Sequence, residues 1–493
     1  MKRVALLAVA ALLAGCGSTV QVSRTTAVGS ADQLGGPTQV TASQGSGQLP
    51  AVPGSGGATQ VVGGGSSVSV PGATVTSGPT TGPVVSGSTS RITTPIELGF
   101  MTTNVGNAQS AGLNVGQTYT DKAAIDALVA EYNANGGLAG RKIEPVYGDT
   151  DTASSDWNTQ FQAACQNLTT DHHVQAVLGY IFVFLDSFEG CLASHHVTHL
   201  YGGYQPGDAQ AQKDYPNIVS VAHPTVDGAN EAVLSGAIAS GRLTPTTKLG
   251  IVYDSCAHGD RAFTRSTVPF LKAHNIHYEA TSLSCAGGSG DAGTAAAAMK
   301  SAELQFAAHG VTTAFIPNAI EMLVFMENAE SQGYRPAYLN PGGGAALEAN
   351  ASVIPAAQMK NVHGYGWVPG IDVGQAHQPY ASTPQEKACL AKLKKHGLVP
   401  AAYNDFMFAF VTCDSLDLYA RALALTGGAS DGYLVQQALV KVMPSFRGAT
   451  TYAGQFGVSA LQRGGPAQYR EEGWSDACSC FQYRGPVRRV PTA

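Results

Sequence analysis

From Pro95 onward the apolar residues switch repeatedly between two periods. In "PIELGF" Ile96, Leu98 and Phe100 occupy alternate positions, which predicts a strand with one face in a core. "TDKAAIDALVAEYNANGG" then sets Ile125, Leu128, Val129 and Tyr132 at helical spacing and stops at Gly136-Gly137, as helices do. "KIEPVYGD" predicts a second strand, at a sheet edge because Pro145 has no N–H to donate. The helix "WNTQFQAACQNLTTD" and the strands "VQAVLGY", "VTHLYGG" and "NIVSVAHPT" follow. The alternation restarts with the strand "KLGIVYD", the helix "RAFTRSTVPFLKAHN" and the strand "HYEATSLS". The helix "TAAAAMKSAELQFAAHG", the strand "TTAFIPN" and the helix "AIEMLVFMENAESQGY" complete the second set. Strand–helix alternation of this length predicts α/β architecture, with parallel sheets covered by helices on both faces. Two such runs joined by crossovers predict two similar lobes, and the long apolar helix in "NDFMFAFVTCDSLDLYARALALTGG" is expected to pack in the first.

The first residues follow another pattern. Lys2 and Arg3 precede the apolar run Val4 to Leu13, which is too short to span a bilayer and reads as a secretory signal. It ends in Leu13-Ala14-Gly15-Cys16, which resembles the bacterial lipobox, where a peptidase cuts before the cysteine and the thiol takes a diacylglycerol. The expectation is a signal peptide over 1–15 and a lipidated Cys16 on the extracytoplasmic face of the cell membrane. Residues 16–92 are Gly, Ser, Thr, Val and Pro with almost no charge or aromatics. Such a stretch buries too little apolar surface to offset its ordering entropy and is expected to be a tether.

A net charge of -6, with no run of basic residues, argues against a nucleic-acid partner. Nine cysteines less Cys16 leave eight, an even number in an exported protein, which favours disulfides over metal or redox chemistry. Chain order suggests Cys165 with Cys191 and Cys256 with Cys285, each within one βαβ-sized stretch. For the last four, Cys389 with Cys413 and Cys478 with Cys480 is one arrangement and exchange among them is another, since Cys478-Ser479-Cys480 closes a very small ring.

The segment "NVGQTYTDKAAIDALVAEYNANGGLAGRKIEPVYGDTD" resembles the opening of type I periplasmic solute-binding proteins, the branched-chain amino acid and amide receptors of ABC importers. The residues that carry the likeness are Gly116, Asn133, Gly136-Gly137, Gly140-Arg141 and Asp149, and the alternation continues to "GYRPAYLN" in that family's manner. The resemblance implies two Rossmann-like lobes joined by a three-segment hinge. Lobe 1 would take residues 93–222 and 343–447, and lobe 2 residues 223–342 and 448–493. It also implies a small-molecule ligand in the cleft, an ABC permease as partner, a monomer, no cofactor and no catalysis.

Two glycine patterns invite a nucleotide-site reading. Gly136-Gly137 follows a helix and precedes a strand, the wrong end of a helix for an anion, so it is expected to be a structural turn. Gly288 to Gly293 fits GxGxxG, but it follows the second strand of its lobe and "TTAFIPN" offers no acid. His195, His196 and His199 include an i,i+4 pair without a nearby acid or cysteine set, so no metal site is expected.

Ligands of parallel α/β sheets bind outside the carboxyl ends of the strands. The candidates there are Thr103, Asn104, Tyr180, Phe182, Tyr201, Gly202 and Tyr204 in lobe 1, with Asp254 and Asn318 in lobe 2. Amino acid receptors of the family usually carry small hydroxyl residues where this chain has Tyr180, Phe182 and Phe184, so aromatic, amide-like or larger apolar solutes are expected alongside amino acids. The leading reading is delivery of that solute to a permease. The alternatives are a ligand-sensing lipoprotein of the same fold, a hydrolase using Asp149 or Asp254, and an interaction module whose cleft is plugged by Tyr180 and Phe182.

Overall fold

The structure is a computed structural model and describes residues 92–105, 116–151, 156–181, 183–203, 207–285, 292–374, 383–451, 456–458 and 463–491. Cys16, the tether, Phe182, Tyr204 and most of the GxGxxG loop lie outside these residues.

The strands fall into two seven-stranded sheets. The first is founded on β1 (Ile96–Asn104), β2 (Ile143–Asp151), β3 (Ala176–Gly179), β4 (Thr198–Tyr201) and β5 (Ile218–Ser220), and the second on β6 (Leu249–Asp254), β7 (Tyr278–Leu283), β8 (Thr313–Phe315), β9 (Ala337–Asn340) and β10 (Val362–Gly366). All pairings among these strands are parallel. Near the carboxyl end, β11 (Phe456–Val458) and β12 (Arg463–Pro466) extend the first sheet beside β5, while the antiparallel pair β13 (Gln468–Ser475) and β14 (Cys480–Arg489) extends the second beside β10. β2 lies at a sheet edge, the place where Pro145 leaves no ladder bond unmade.

The chain passes between the sheets three times: at 221–225, after β10, and at Ala467 between β12 and β13. This is the expected three-segment hinge, but its second and third crossings come later than the sequence reading puts them. β10 lies within the range 343–447 given to lobe 1 and yet pairs with β9, and β11–β12 lie within the range given to lobe 2 and yet extend the first sheet. "VHGYG" and "RGGP" are short and glycine-rich, so nothing in their pattern tells which sheet they join.

The residues that carry the family likeness all serve local architecture. Asn133, in the last turn of the helix Asp121–Ala134, donates from Nδ2 to the Ile143 carbonyl at 2.9 Å and accepts from the Ile143 N–H at 2.7 Å, fastening the helix to the start of β2. Arg141 is buried and donates to the carbonyls of Thr94, Pro95 and Gly428 and to Ser430 Oγ, at 2.8 to 3.1 Å. Asp149 accepts from Thr102 Oγ1 across β1 and β2. The opening glycine turn is therefore a joint between helix and strand, as its position in the sequence implies.

The helix Tyr403–Leu425 is buried over most of its length and packs on the helix Asp121–Ala134 and on β3. Its first turn holds Asp405, which accepts from Thr118 N at 2.8 Å and from the N–H groups of Ala401 and Ala402, so the loop at Gly116–Thr118 is docked on it. Disulfides join Cys165–Cys191, Cys256–Cys285, Cys389–Cys413 and Cys478–Cys480, so of the two arrangements left open for the last four, the one without exchange is found. Among the described residues no helix is long and apolar enough to cross a membrane.

Candidate functional site

The carboxyl ends of β6, β8 and β9, together with the hinge, enclose a cavity of about 70 Å³. Its rings are Tyr253 and Phe263, stacked at 4.0 Å between centroids, with Phe315 and Trp367. Its polar groups include Asp254 at the end of β6, Asn318 just before the helix Ala319–Ser331, and His258. Among the described residues that line it there is no lysine or arginine. Burial pushes the Asp254 carboxyl up to about 6. Glu321, one turn into the helix after Asn318, interacts electrostatically with Asp254 and is raised well above the usual carboxylate range, first by burial and then by the Asp254 charge. Its Oε2 is out of water and accepts no hydrogen bond, although the residue as a whole is partly exposed. Asp254, set among the rings with Glu321 as an electrostatic neighbour behind it, makes a receptor for a donor or a cation on a largely apolar body.

The hinge reaches the same cavity. His223 and Trp367, from the first and second crossings, both line it, and Trp367 Nε1–H donates to His223 Nδ1 at 3.0 Å. Burial pushes His223 down to about 3, so the ring is neutral with its proton on Nε2. The His223 carbonyl accepts from Ser220 Oγ at 2.5 Å, and Gly465, in β12 just before the third crossing, lies against it so closely that a Cβ there would not fit. His223 thus touches the second crossing and the strand that leads into the third.

A second cavity, about 280 Å³, lies between the lobes. Asn158 and Phe184 to Ser187 come from lobe 1, and Cys256, Ala257, His258 and Cys285 from lobe 2. Nearby the lobes are joined by Asp208 and Arg261, a two-bond pair at 2.8 and 2.7 Å with Asp208 buried. Hydrogen bonds to charged groups contribute about 1.5–3 kcal/mol. Arg261→Met, which leaves Asp208 its bond from Ala211 N, is expected to move the equilibrium towards separated lobes. Small-angle X-ray scattering should show a larger radius of gyration; an unchanged profile would mean that other contacts hold the lobes together.

Several sequence candidates stand elsewhere. Tyr180 is buried in the lobe 1 core, edge-on to Phe408 at 4.6 Å, and Tyr201 is buried among Phe184 and His199. Neither lines the two cavities described, which corrects their assignment as pocket walls: the long apolar helix Tyr403–Leu425 comes down on β3 and covers Tyr180. Thr103 gives its N–H to Asp121 at 2.9 Å, and Gly202 packs against Val411, so both serve lobe 1 itself. Asn104 is exposed at the end of β1. Only Asp254 and Asn318 of the described candidates reach the cavity. Sequence reasoning missed His223, His258, Glu321 and Trp367. A histidine just after a strand–turn–cysteine and a histidine–proline at a crossover were the available signals.

The histidines expected not to bind metal are separated by the fold: His195 and His196 are exposed at the end of the helix Asp186–Ser194, while His199 is buried in β4 against Glu189 at 2.9 Å. Among the described residues no group of three or more His, Cys, Asp or Glu could hold a metal ion.

Residues 95–467 match the periplasmic binding protein family. In fold the chain is similar to a solute-binding protein of an ABC transporter from Rhodopseudomonas palustris HaA2 in complex with p-hydroxybenzoic acid, at 16% identity and a TM-score of 0.56, covering 81% of this chain and 98% of that one. It is also similar to the branched-chain amino acid transporter substrate-binding protein of Streptococcus pneumoniae in complex with isoleucine, at 17% identity and a TM-score of 0.53, covering 80% and 100%. An ABC transporter substrate-binding protein from Desulfitobacterium hafniense in complex with Leu gives 16% identity and a TM-score of 0.52, covering 79% and 100%. No curated protein matches the chain. With a match over most of its length, two parallel-stranded lobes and a triple-crossing hinge, the chain belongs to the periplasmic binding protein family, in its type I form.

Proposed function

We propose that this protein is an extracytoplasmic solute receptor of an ABC importer, anchored by lipid at Cys16, held off the membrane by residues 16–92, and acting as a monomer that delivers its ligand to a permease. The observation that carries the ligand-binding part is the cavity at the hinge, which four aromatic rings line together with Asp254. The ligand offers a donor, an ammonium or a hydroxyl, to Asp254 and an apolar or aromatic body to the rings. Amino acids and hydroxylated aromatic acids both satisfy that description, and both occur as ligands of structurally similar proteins. Asn318 is positioned to orient the ligand's polar end. Closure of the lobes, rather than chemistry on the solute, is the functional event.

Thermal unfolding against amino acids, amides, hydroxybenzoates and sugars tests this reading. A ligand at a hundred times its dissociation constant stabilises the native state by about 2.7 kcal/mol. Failure of every compound, after refolding to strip carried-over ligand, would remove the receptor reading. Asp254→Asn is expected to weaken an ammonium ligand by about 1.5–3 kcal/mol, read by calorimetry. Because the ionised Asp254 is the form that holds a cation, wild-type affinity for that ligand should fall as pH drops through about 6, whereas the Asn variant should not show that fall.

A further inference from the structure

The two cavities have a single lining residue in common, His258. It is buried, it follows the bridged Cys256 by two positions, and its ring stands edge-on to Phe184 of the other lobe, 5.0 Å between centroids. The backbone beneath it is held: Asp260 N–H bonds the Cys256 carbonyl at 2.8 Å, Ser255 N–H bonds the Leu283 carbonyl at 2.9 Å, and the disulfide ties this turn to Cys285. Above that base the imidazole is held by packing against the other lobe rather than by a hydrogen bond at Nδ1. Its Nδ1 makes no hydrogen bond, and the nearest Asp186 oxygen lies 3.7 Å away. Asp254 faces the ring from β6 and Asp186 from lobe 1. Small-molecule sites measure on the order of 300 Å³ or more; the outer space of about 280 Å³ falls just short of that, the inner one of about 70 Å³ well short, and only the two joined exceed it.

We propose that His258 is the specificity-determining residue of the cleft, its ring dividing one elongated site into an inner chamber at the hinge and an outer chamber at the lobe interface. The inference rests on the solute-receptor reading and adds a size limit to it. With the ring in place the protein takes compact solutes whose donor reaches Asp254. A longer solute has to thread between His258 and Phe184, where the rings already touch. The limit is steric, because the side chain is wedged between the lobes on a base that the disulfide keeps from retreating.

The test compares wild type, His258→Ala and His258→Phe for binding of two homologous series by calorimetry. One runs from para-hydroxybenzoate through its homologues with one, two and three methylenes between ring and carboxylate. The other runs through straight-chain L-amino acids from aminobutyrate to aminodecanoate. Wild type and His258→Phe are expected to share a length beyond which affinity collapses. His258→Ala is expected to bind the longest members at least about tenfold more tightly than wild type does, the effect of burying two further methylenes. The same length limit in all three proteins overturns the proposal, as does extension of the range by His258→Phe, which would make the histidine's role polar. A crystal structure of His258→Ala in which Phe184 fills the vacated space also overturns it. Silence of all three proteins towards every compound is a different result: it removes the receptor reading, and the size limit with it.

Discussion

Gly137→Ala is expected to cost about 4 kcal/mol of folding stability, whereas Gly136→Ala, one residue earlier, costs about 1–2 kcal/mol. Both glycines have positive φ, 94° at Gly136 and 70° at Gly137, so both substitutions strain the backbone. They differ in surroundings. A Cβ on Gly136 meets nothing within 4 Å, whereas one on Gly137 is driven into the carbonyl of Arg141. That carbonyl accepts from the Leu138 N–H at 2.8 Å and cannot yield without opening the turn. The turn in question places Arg141 beneath the start of β1. Urea denaturation of both variants measures the difference; equal losses would show that the turn relaxes as a unit. A phosphate-binding loop would have shown the reverse priority, with stability little affected and an anion site lost.

The protein is also expected to be more stable at pH 5 than at pH 8, by at least about 3 kcal/mol. Burial raises Asp121 and Asp414 to about 7 and Asp372 to about 8. In the unfolded chain these carboxyls titrate near the usual Asp value, about 3.9. Between that value and the folded ones the native state therefore holds more protons than the unfolded state. Their contribution is complete below the unfolded value and is lost as pH rises through about 7 to 8. Glu472 moves the same way, through burial and the Asp372 charge, and its Oε2 accepts no hydrogen bond. Carboxyls shifted downward, such as Glu131 beside Lys395 and Asp156 beside Thr159, work in the opposite direction, losing their contribution as pH falls through their lowered values. Glu131 is ion-paired and Asp156 caps a helix, so both stay ionised at pH 5 and the optimum falls near there, where both sets are favourable. Chemical denaturation at the two pH values gives the answer, and a higher midpoint at pH 8 would contradict it. Glu472→Gln, which keeps its bond from Gly344 N–H, should fold and should show a shallower decline between them.

The periodicity of the chain alone determined the strands β1 to β8, the alternating helices and hence two parallel-stranded lobes, because apolar spacing is a local property that folding leaves unchanged. The same is true of Pro145 at an edge and Gly136-Gly137 as a turn, where the backbone chemistry of single residues decides. Chain order likewise anticipated Cys165–Cys191 and Cys256–Cys285. Only the tertiary structure decided which sheet receives β10, β11 and β12, since short strands of this kind carry no mark of their neighbours. It also decided which rings face the cleft. Tyr180 and Tyr201 sit at strand ends where a ligand loop is expected, but the helix Tyr403–Leu425, more than two hundred positions later in the sequence, and Phe184 take up their faces. Tyr253, Phe263, Phe315 and Trp367 are scattered through lobe 2 and the hinge and meet around one cavity because β6 and β8 are neighbours in the sheet and the second crossing brings Trp367 over their ends. Direction of a side chain at a strand's end is set by what packs over it, and that partner is distant in sequence.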